Sequence, residues 1–194
     1  MKEATQMIVV LVLICTLCGI ALSGFREMTA ERIENQVLIN VQGPGVKRVL
    51  EGSQNDLIAD RKKIKIDGQE ILLFMGKKEG KPWAIAYETL GKGFGGDIKV
   101  MVGYDIDNDK LTGIQIVSHK ETPDVGSKVT EDPYTQRFSG IDIDLEATPG
   151  KRLAKKIDAI SGATYSSKGV YEAIGKSLEL YIKIKKQDLT KKGK

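Results

Sequence analysis

Four Ser and Thr hydroxyls, Ser161, Thr164, Ser166 and Ser167, fall inside the stretch Asp158-Ala-Ile-Ser-Gly-Ala-Thr-Tyr-Ser-Ser167. The apolar spacing that follows, Val170, Ala173, Ile174, Leu178, Tyr181 and Ile182, is helical, so the cluster sits where a helix exposes unpaired amides. An anion placed there meets both hydrogen-bond donors and the positive end of the helix dipole. Ser and Thr are also the favoured caps of any helix. The residues by themselves therefore leave a phosphate site and an over-supplied cap as equal readings.

Three other segments carry groups capable of chemistry. His119-Lys-Glu-Thr-Pro-Asp-Val-Gly126 holds the single His of the chain and Glu121, a general base by type. Nothing nearby completes a nucleophile triad, and a loop carboxylate is ordinarily just solvated. Gly91-Lys-Gly-Phe-Gly-Gly96 lacks the spacing of a phosphate loop, and a strand follows it in place of the required helix. It reads as a strand connection; the alternative is that Gly93, Gly95 and Gly96 let a flat ligand approach the backbone. Asp142, Asp144 and Glu146 alternate with Ile and Leu, the pattern of a half-buried strand with its acids toward solvent, and they lack the Gly turn of a calcium loop. No residue is assigned as a catalyst and none as a metal ligand.

Composition narrows the classes. The chain has 194 residues, one His and two Cys, which excludes a structural zinc site or an iron-sulfur cluster built from this chain alone. A net charge of +4 spread over 30 basic and 26 acidic residues argues against a nucleic-acid module. No charge occurs from Ala4 to Phe25, a run of about 33 Å as a helix, long enough to span a bilayer. It is longer than a signal-peptide core and reads as an uncleaved anchor. Cys15 and Cys18 lie inside it and read as small apolar residues on a helix face.

The elements that must position these groups follow from periodicity. Thr29-Ala-Glu-Arg32 fits a capping box opening a helix that continues the anchor into water, with Ile33, Val37 and Leu38 on one face. Lys63 to Ile66 and Glu70 to Phe74 flank the hairpin signal Asp67-Gly68. Trp83 to Glu88 follows a Gly80-Lys-Pro82 turn, and Asp97 to Tyr104 and Leu111 to Val117 flank a polar turn at 105–110. The expectation is an α+β chain: a single N-terminal transmembrane helix (1–25), a helical connector (26–45), a domain of antiparallel strands with flanking helices (46–186) and a basic tail (187–194).

Asp-x-x-Ser-Gly-Ala-Thr-x-Ser resembles the flavinylation signature of the FMN-binding domains in the Rnf complex's G subunit and in the C-type component of the sodium-pumping NADH:quinone reductase. Glu121-Thr-Pro123, the Gly-rich loop and the single N-terminal anchor occur in the same order in that family, so the resemblance covers essentially the whole chain. The compact length is more similar to the Rnf protein. The resemblance implies that Thr164 carries FMN through a phosphoester bond installed from FAD by a flavin transferase. Ser161, Gly162 and Ala163 would give that enzyme access, and the helix amides with Lys168 would face the phosphate. Glu121, Thr122, Pro123 and the Gly93–Gly96 loop would lie against the ring. It further implies a redox component of an ion-translocating ferredoxin:NAD oxidoreductase, partnered by membrane and iron-sulfur subunits, with its soluble domain outside the cytoplasmic membrane. The alternatives are a C-type component of the quinone reductase, or a membrane-anchored hydrolase or transferase using Glu121.

One position departs from the pattern. The family reads Glu-Thr-Pro-Gly, whereas Asp124 stands here in place of that Gly. Asp tolerates a left-handed backbone better than most residues, so the turn is expected to survive, and a carboxylate near the ring would disfavour negative charge on it.

Overall fold

The structure, a computed structural model, describes residues 2–148, 151–153 and 157–192, with side chains from residue 3 to residue 186. The side chains of the expected basic tail lie outside the described set. The chain divides into two compact units, Met1–Ile39 and Asn40–Lys194.

The first unit is helix α1, Lys2–Val37. Its most apolar stretch has a mean hydropathy of 2.7, long and apolar enough to cross a membrane. The capping box expected at Thr29 does not form. Thr29 lies inside the continuous helix, and its hydroxyl donates to the Phe25 carbonyl four residues back, at 2.7 Å, the usual use of a mid-helix threonine. A π-helical turn, Leu38–Gln42, follows.

The second unit is a five-stranded antiparallel sheet in the order β1-β2-β3-β4-β5, with β1 Lys62–Ile66, β2 Gln69–Lys78, β3 Lys81–Lys92, β4 Asp97–Asp105 and β5 Lys110–Ser118. The β1–β2 turn is Asp67-Gly68, with φ of 51° and 83°, the pair of positive values a tight hairpin needs. The next turn is Glu79-Gly80, at 51° and 77°. Lys81 and Pro82 therefore belong to β3, one position earlier than the turn expected at 80–82, and a bulge at Gly76/Lys77 absorbs the proline.

Helix α2, Gly43–Val49, lies on one face of the sheet, where Thr112 donates its hydroxyl to the Val49 carbonyl at 2.5 Å. On the other face lies α4, Thr164–Lys192, with α3, Asp132–Thr135, and short 3-10 turns beside it. Val170, Ala173, Ile174, Leu178 and Tyr181 of α4 bury against Ile85, Tyr87, Ile98, Val100, Val102 and Tyr104, the period of 3.6 meeting the period of 2. Contact is closest at Gly91, where a Cβ would stand 1.8 Å from the Gly169 carbonyl oxygen.

Two irregularities were not visible in the pattern. Residues 142–146 do not form a strand: Asp142 and Ile143 make isolated bridges to Lys110 and Leu153, and Asp144 turns the chain by accepting the amides of Glu146 and Ala147. In addition, β2 changes partners midway. Its residues 69–73 pair with β1 and 74–78 with β3, so the second half of β3 has a ladder only with β4. There α4 side chains meet the strand edge: Lys176 donates to the Leu90 carbonyl at 3.1 Å, and Glu172 accepts the Lys92 amide at 3.2 Å.

Candidate functional site

Gly162, at φ 80°, turns the chain into α4. The Ala163 amide bonds the Ile160 carbonyl at 3.0 Å, and the Ser167 amide returns to Ala163 at 2.9 Å, leaving the amides of Thr164, Tyr165 and Ser166 as the open end of the helix. The four clustered hydroxyls then part company. Ser166 and Ser167 are buried: Ser167 Oγ accepts the Ile160 amide at 3.1 Å, and Ser166 Oγ donates to Glu121 Oε2 at 2.5 Å. Ser161 and Thr164 are exposed, and among the described residues their hydroxyls have no protein partner. The two buried hydroxyls thus tie the helix start to neighbouring segments, and the two exposed ones face outward.

Glu121 is not the solvated loop carboxylate that its position suggested. It is 6% exposed, and its second oxygen, Oε1, accepts the Gly95 amide at 2.9 Å. Its own amide donates to His119 Nδ1 at 3.2 Å. Space for this carboxylate is made by two glycines: a Cβ on Gly93 would stand 2.3 Å from Oε1, and one on Gly126 would stand 2.8 Å from Oε2. At Gly95 a Cβ would meet the Lys120 carbonyl at 2.0 Å. At Gly93 and Gly95 the space a side chain would take is therefore filled by protein, the carboxylate of Glu121 and the backbone of Lys120. Asp124 does hold the left-handed turn, at φ 59°, with its amide on Ser127 Oγ at 3.0 Å.

Around the start of α4 lies a cavity of about 370 Å³ lined by Phe94, Glu121, Thr122, Val125, Gly126, Gly162, Ala163, Thr164, Tyr165 and Ser166, within the size range of small-molecule sites. Its walls are apolar and open. Phe94 is 75% exposed, Tyr165 67% and Val125 47%, and the two rings stand 6.3 Å apart between centroids, tilted by 53°. Five of the expected residues, Glu121, Thr122, Gly162, Ala163 and Thr164, meet here. Ser161, Pro123, Gly93, Gly95, Gly96 and Lys168 do not line the cavity; Lys168 Nζ instead lies 5.5 Å from the Tyr165 ring centroid.

Phe94, Val125 and Tyr165 were not singled out from the sequence, and Ser166 was singled out only as one of four clustered hydroxyls. Phe94 and Tyr165 each carried a signal, an aromatic inside a glycine loop and one directly after the Ser-Gly-Ala-Thr element. Exposed aromatic rings beside small residues suit a planar conjugated ligand, and a hydroxyl at an open helix end suits its phosphate. The residues present thus fit a flavin mononucleotide. Among the described residues no group of three or more His, Cys, Asp or Glu could hold a metal ion.

Residues 93–179 match the FMN-binding domain family. The chain is 32% identical over 132 residues to the G subunit of the proton-translocating ferredoxin:NAD(+) oxidoreductase complex of Clostridium ljungdahlii, covering 65% of this chain and 70% of that one. It is 30% identical over 132 residues to the G subunit of the ion-translocating oxidoreductase complex of Buchnera aphidicola, covering 65% of this chain but only 58% of that relative's length. Among solved structures, the C subunit of the Na(+)-translocating NADH-quinone reductase from Parabacteroides distasonis superposes with a TM-score of 0.50 at 27% identity, over 60% of this chain and 63% of the other.

Proposed function

Because this chain belongs to the family of G subunits of ion-translocating oxidoreductase complexes, we propose that it is a membrane-anchored electron carrier holding FMN through a phosphoester on Thr164. The observation that carries this reading is the Thr164 hydroxyl, exposed and uncommitted at the first turn of α4, on the wall of a cavity flanked by Phe94 and Tyr165. When bound, the flavin supplies the redox chemistry.

The chain's own residues do the rest. Gly162 and Ala163 keep the approach to Thr164 clear for a flavin transferase, which forms the Oγ–phosphorus bond and releases AMP from FAD. The open amides of α4 face the phosphate that stays, a dipole contribution of about 0.3–1 kcal/mol. Phe94 and Tyr165 orient the ring system, and the bond to Thr164 prevents its loss. Glu121 fixes the geometry by tying the β3–β4 turn to the helix start, and with both oxygens engaged it is not placed as a hydrolytic base. A hydrolase built on Glu121 and Ser166 would need an accessible nucleophile, whereas Ser166 is 2% exposed.

Electrons would pass between this flavin and other subunits of an Rnf-type complex in the cytoplasmic membrane, with residues 40–194 on the outer side, where the transferase of the resembling family acts. Intact-mass measurement of the protein produced with and without the transferase tests the attachment: a flavin-phosphate increment that vanishes in Thr164→Val is expected, and an unmodified mass with the transferase present overturns it. For sidedness, Asp107 lies on an exposed turn, and both native cysteines lie in the apolar stretch of α1. Asp107→Cys should react with a membrane-impermeant maleimide in intact cells or spheroplasts; reaction only after lysis would put the domain in the cytoplasm.

A further inference from the structure

A phosphate arriving at the first turn of α4 meets a negative charge already in place. The Glu121 carboxylate is buried, accepts the Ser166 hydroxyl at 2.5 Å, and lines the same cavity as Thr164. Two glycines, Gly93 and Gly126, are needed to make room for it, so it is built into the site. A carboxylate close to a helix N-terminus compensates the same positive pole that a free phosphate would use, and in a partly desolvated cavity it repels a dianion strongly. The nearest side-chain cation in sequence, Lys168, does not line the cavity and lies against the Tyr165 ring.

We propose that Glu121 is a specificity-determining residue that makes the site reject free FMN, so that flavin is held only when the bond to Thr164 is made. This rests on the flavin reading of the site. The tether does more than prevent dissociation, since it overcomes a repulsion that the unmodified protein maintains. The consequence is that apo protein does not fill with flavin mononucleotide from solution and stays open to the transferase.

The test uses the full chain produced without the transferase and purified in detergent, titrated with FMN and, separately, with riboflavin, following flavin fluorescence. The two ligands share the ring and differ in the phosphate. The parent is expected to bind FMN no tighter than riboflavin. In Glu121→Gln, where the amide can still bond both Gly95 and Ser166, FMN should gain about tenfold or more while riboflavin is unchanged. Ser166→Ala, which removes a bond but leaves the charge, should not alter the ratio.

A parent that prefers FMN tenfold, or a Glu121→Gln change that moves both ligands equally or neither, overturns the proposal. Ionic strength gives an independent sign on the parent alone, so the test survives even if Glu121→Gln fails to fold. If the carboxylate dominates, added KCl raises FMN binding relative to riboflavin; a fall with salt means that attraction dominates, and overturns it. The intact-mass experiment separates the two claims: a missing flavin increment there removes the attachment to Thr164, while the salt and glutamine results still report on the charge.

Discussion

Tyr87 donates its hydroxyl to the Ser177 carbonyl and Tyr104 donates to Ser177 Oγ, both at 2.6 Å, while Tyr181 bonds Asp109 at 2.7 Å. Their rings stack, with centroids 5.7 and 4.4 Å apart. Thirteen residues earlier on the same helix, Thr164 presents a hydroxyl with no partner among the described residues. The first turn and the middle of α4 both carry hydroxyls, but those in the middle hold the helix on the sheet and one in the first turn is left available. Leaving a buried polar group unbonded costs its desolvation, so at Tyr87, Tyr104 and Ser177 commitment accompanies burial, while the exposed hydroxyl at the rim stays uncommitted. The attachment proposed at the first turn should therefore be removable without touching the stability supplied by the middle of the helix.

The largest expected effect breaks the exposed end alone. Thr164→Val should abolish in-gel flavin fluorescence of protein made with the transferase while leaving the melting temperature of the apo protein in place. A fall in both would show that the two regions are not independent.

Next in size is alkaline unfolding, which acts on the buried tyrosines. Burial lifts Tyr87, Tyr104 and Tyr181, packed around the middle of α4, above the ordinary value of 10, and raises the phenol of Tyr134 on α3 to about 12. Below pH 10 folded and unfolded chains are both protonated at these groups, and stability does not depend on them. Above pH 10 the unfolded chain ionises first, so each phenol lowers stability by about 1.4 kcal/mol per pH unit until its folded value is reached. Tyrosinate absorbance and loss of circular dichroism should rise together; tyrosinate formed in a still folded protein would show that the buried phenols titrate freely.

Gly91→Ala sharpens the comparison by loading the stretch of α4 between the two regions through one contact. Its Cβ would collide with the Gly169 carbonyl, and overpacking of this kind costs about 1–3 kcal/mol. Chemical denaturation should show the loss, together with less flavin per chain. The smallest effect is Ser177→Ala, which leaves the buried Tyr104 hydroxyl without its partner at a cost of about 1–2 kcal/mol and full flavin content.

Much of this arrangement was legible locally. Asp67-Gly68 announced its hairpin because the two residues accept positive φ, and the face of α4 was readable because one helix packs on one sheet. The periodicity put a helix after Ser167, and α4 begins earlier, at Thr164, so that Thr164, Ser166 and Ser167 lie within its first turn. What stayed hidden depends on partners distant in sequence. The alternation at 142–146 is the same whether its neighbours form a ladder or, as here, isolated bridges. Gly93 read as a strand connection or as access for a ligand, and the space beside it is taken by a carboxylate from another loop, Glu121. Thr29 had the spacing of a cap, but spacing cannot tell that the helix before it has not ended.

The Lys176 and Glu172 contacts to Leu90 and Lys92 have a bearing on biosynthesis. Glu172 and Lys176 are themselves joined at 2.6 Å, so one ion pair covers main-chain groups of β3 on the side where β2 has turned away. An uncovered strand edge is a template for unwanted pairing. Since α4 follows all five strands in the chain, a ribosome releases the sheet before it releases the helix that shields it. Nascent chains therefore pass through a stage with that edge bare, and chaperone dependence should be greatest for chains truncated before Glu172.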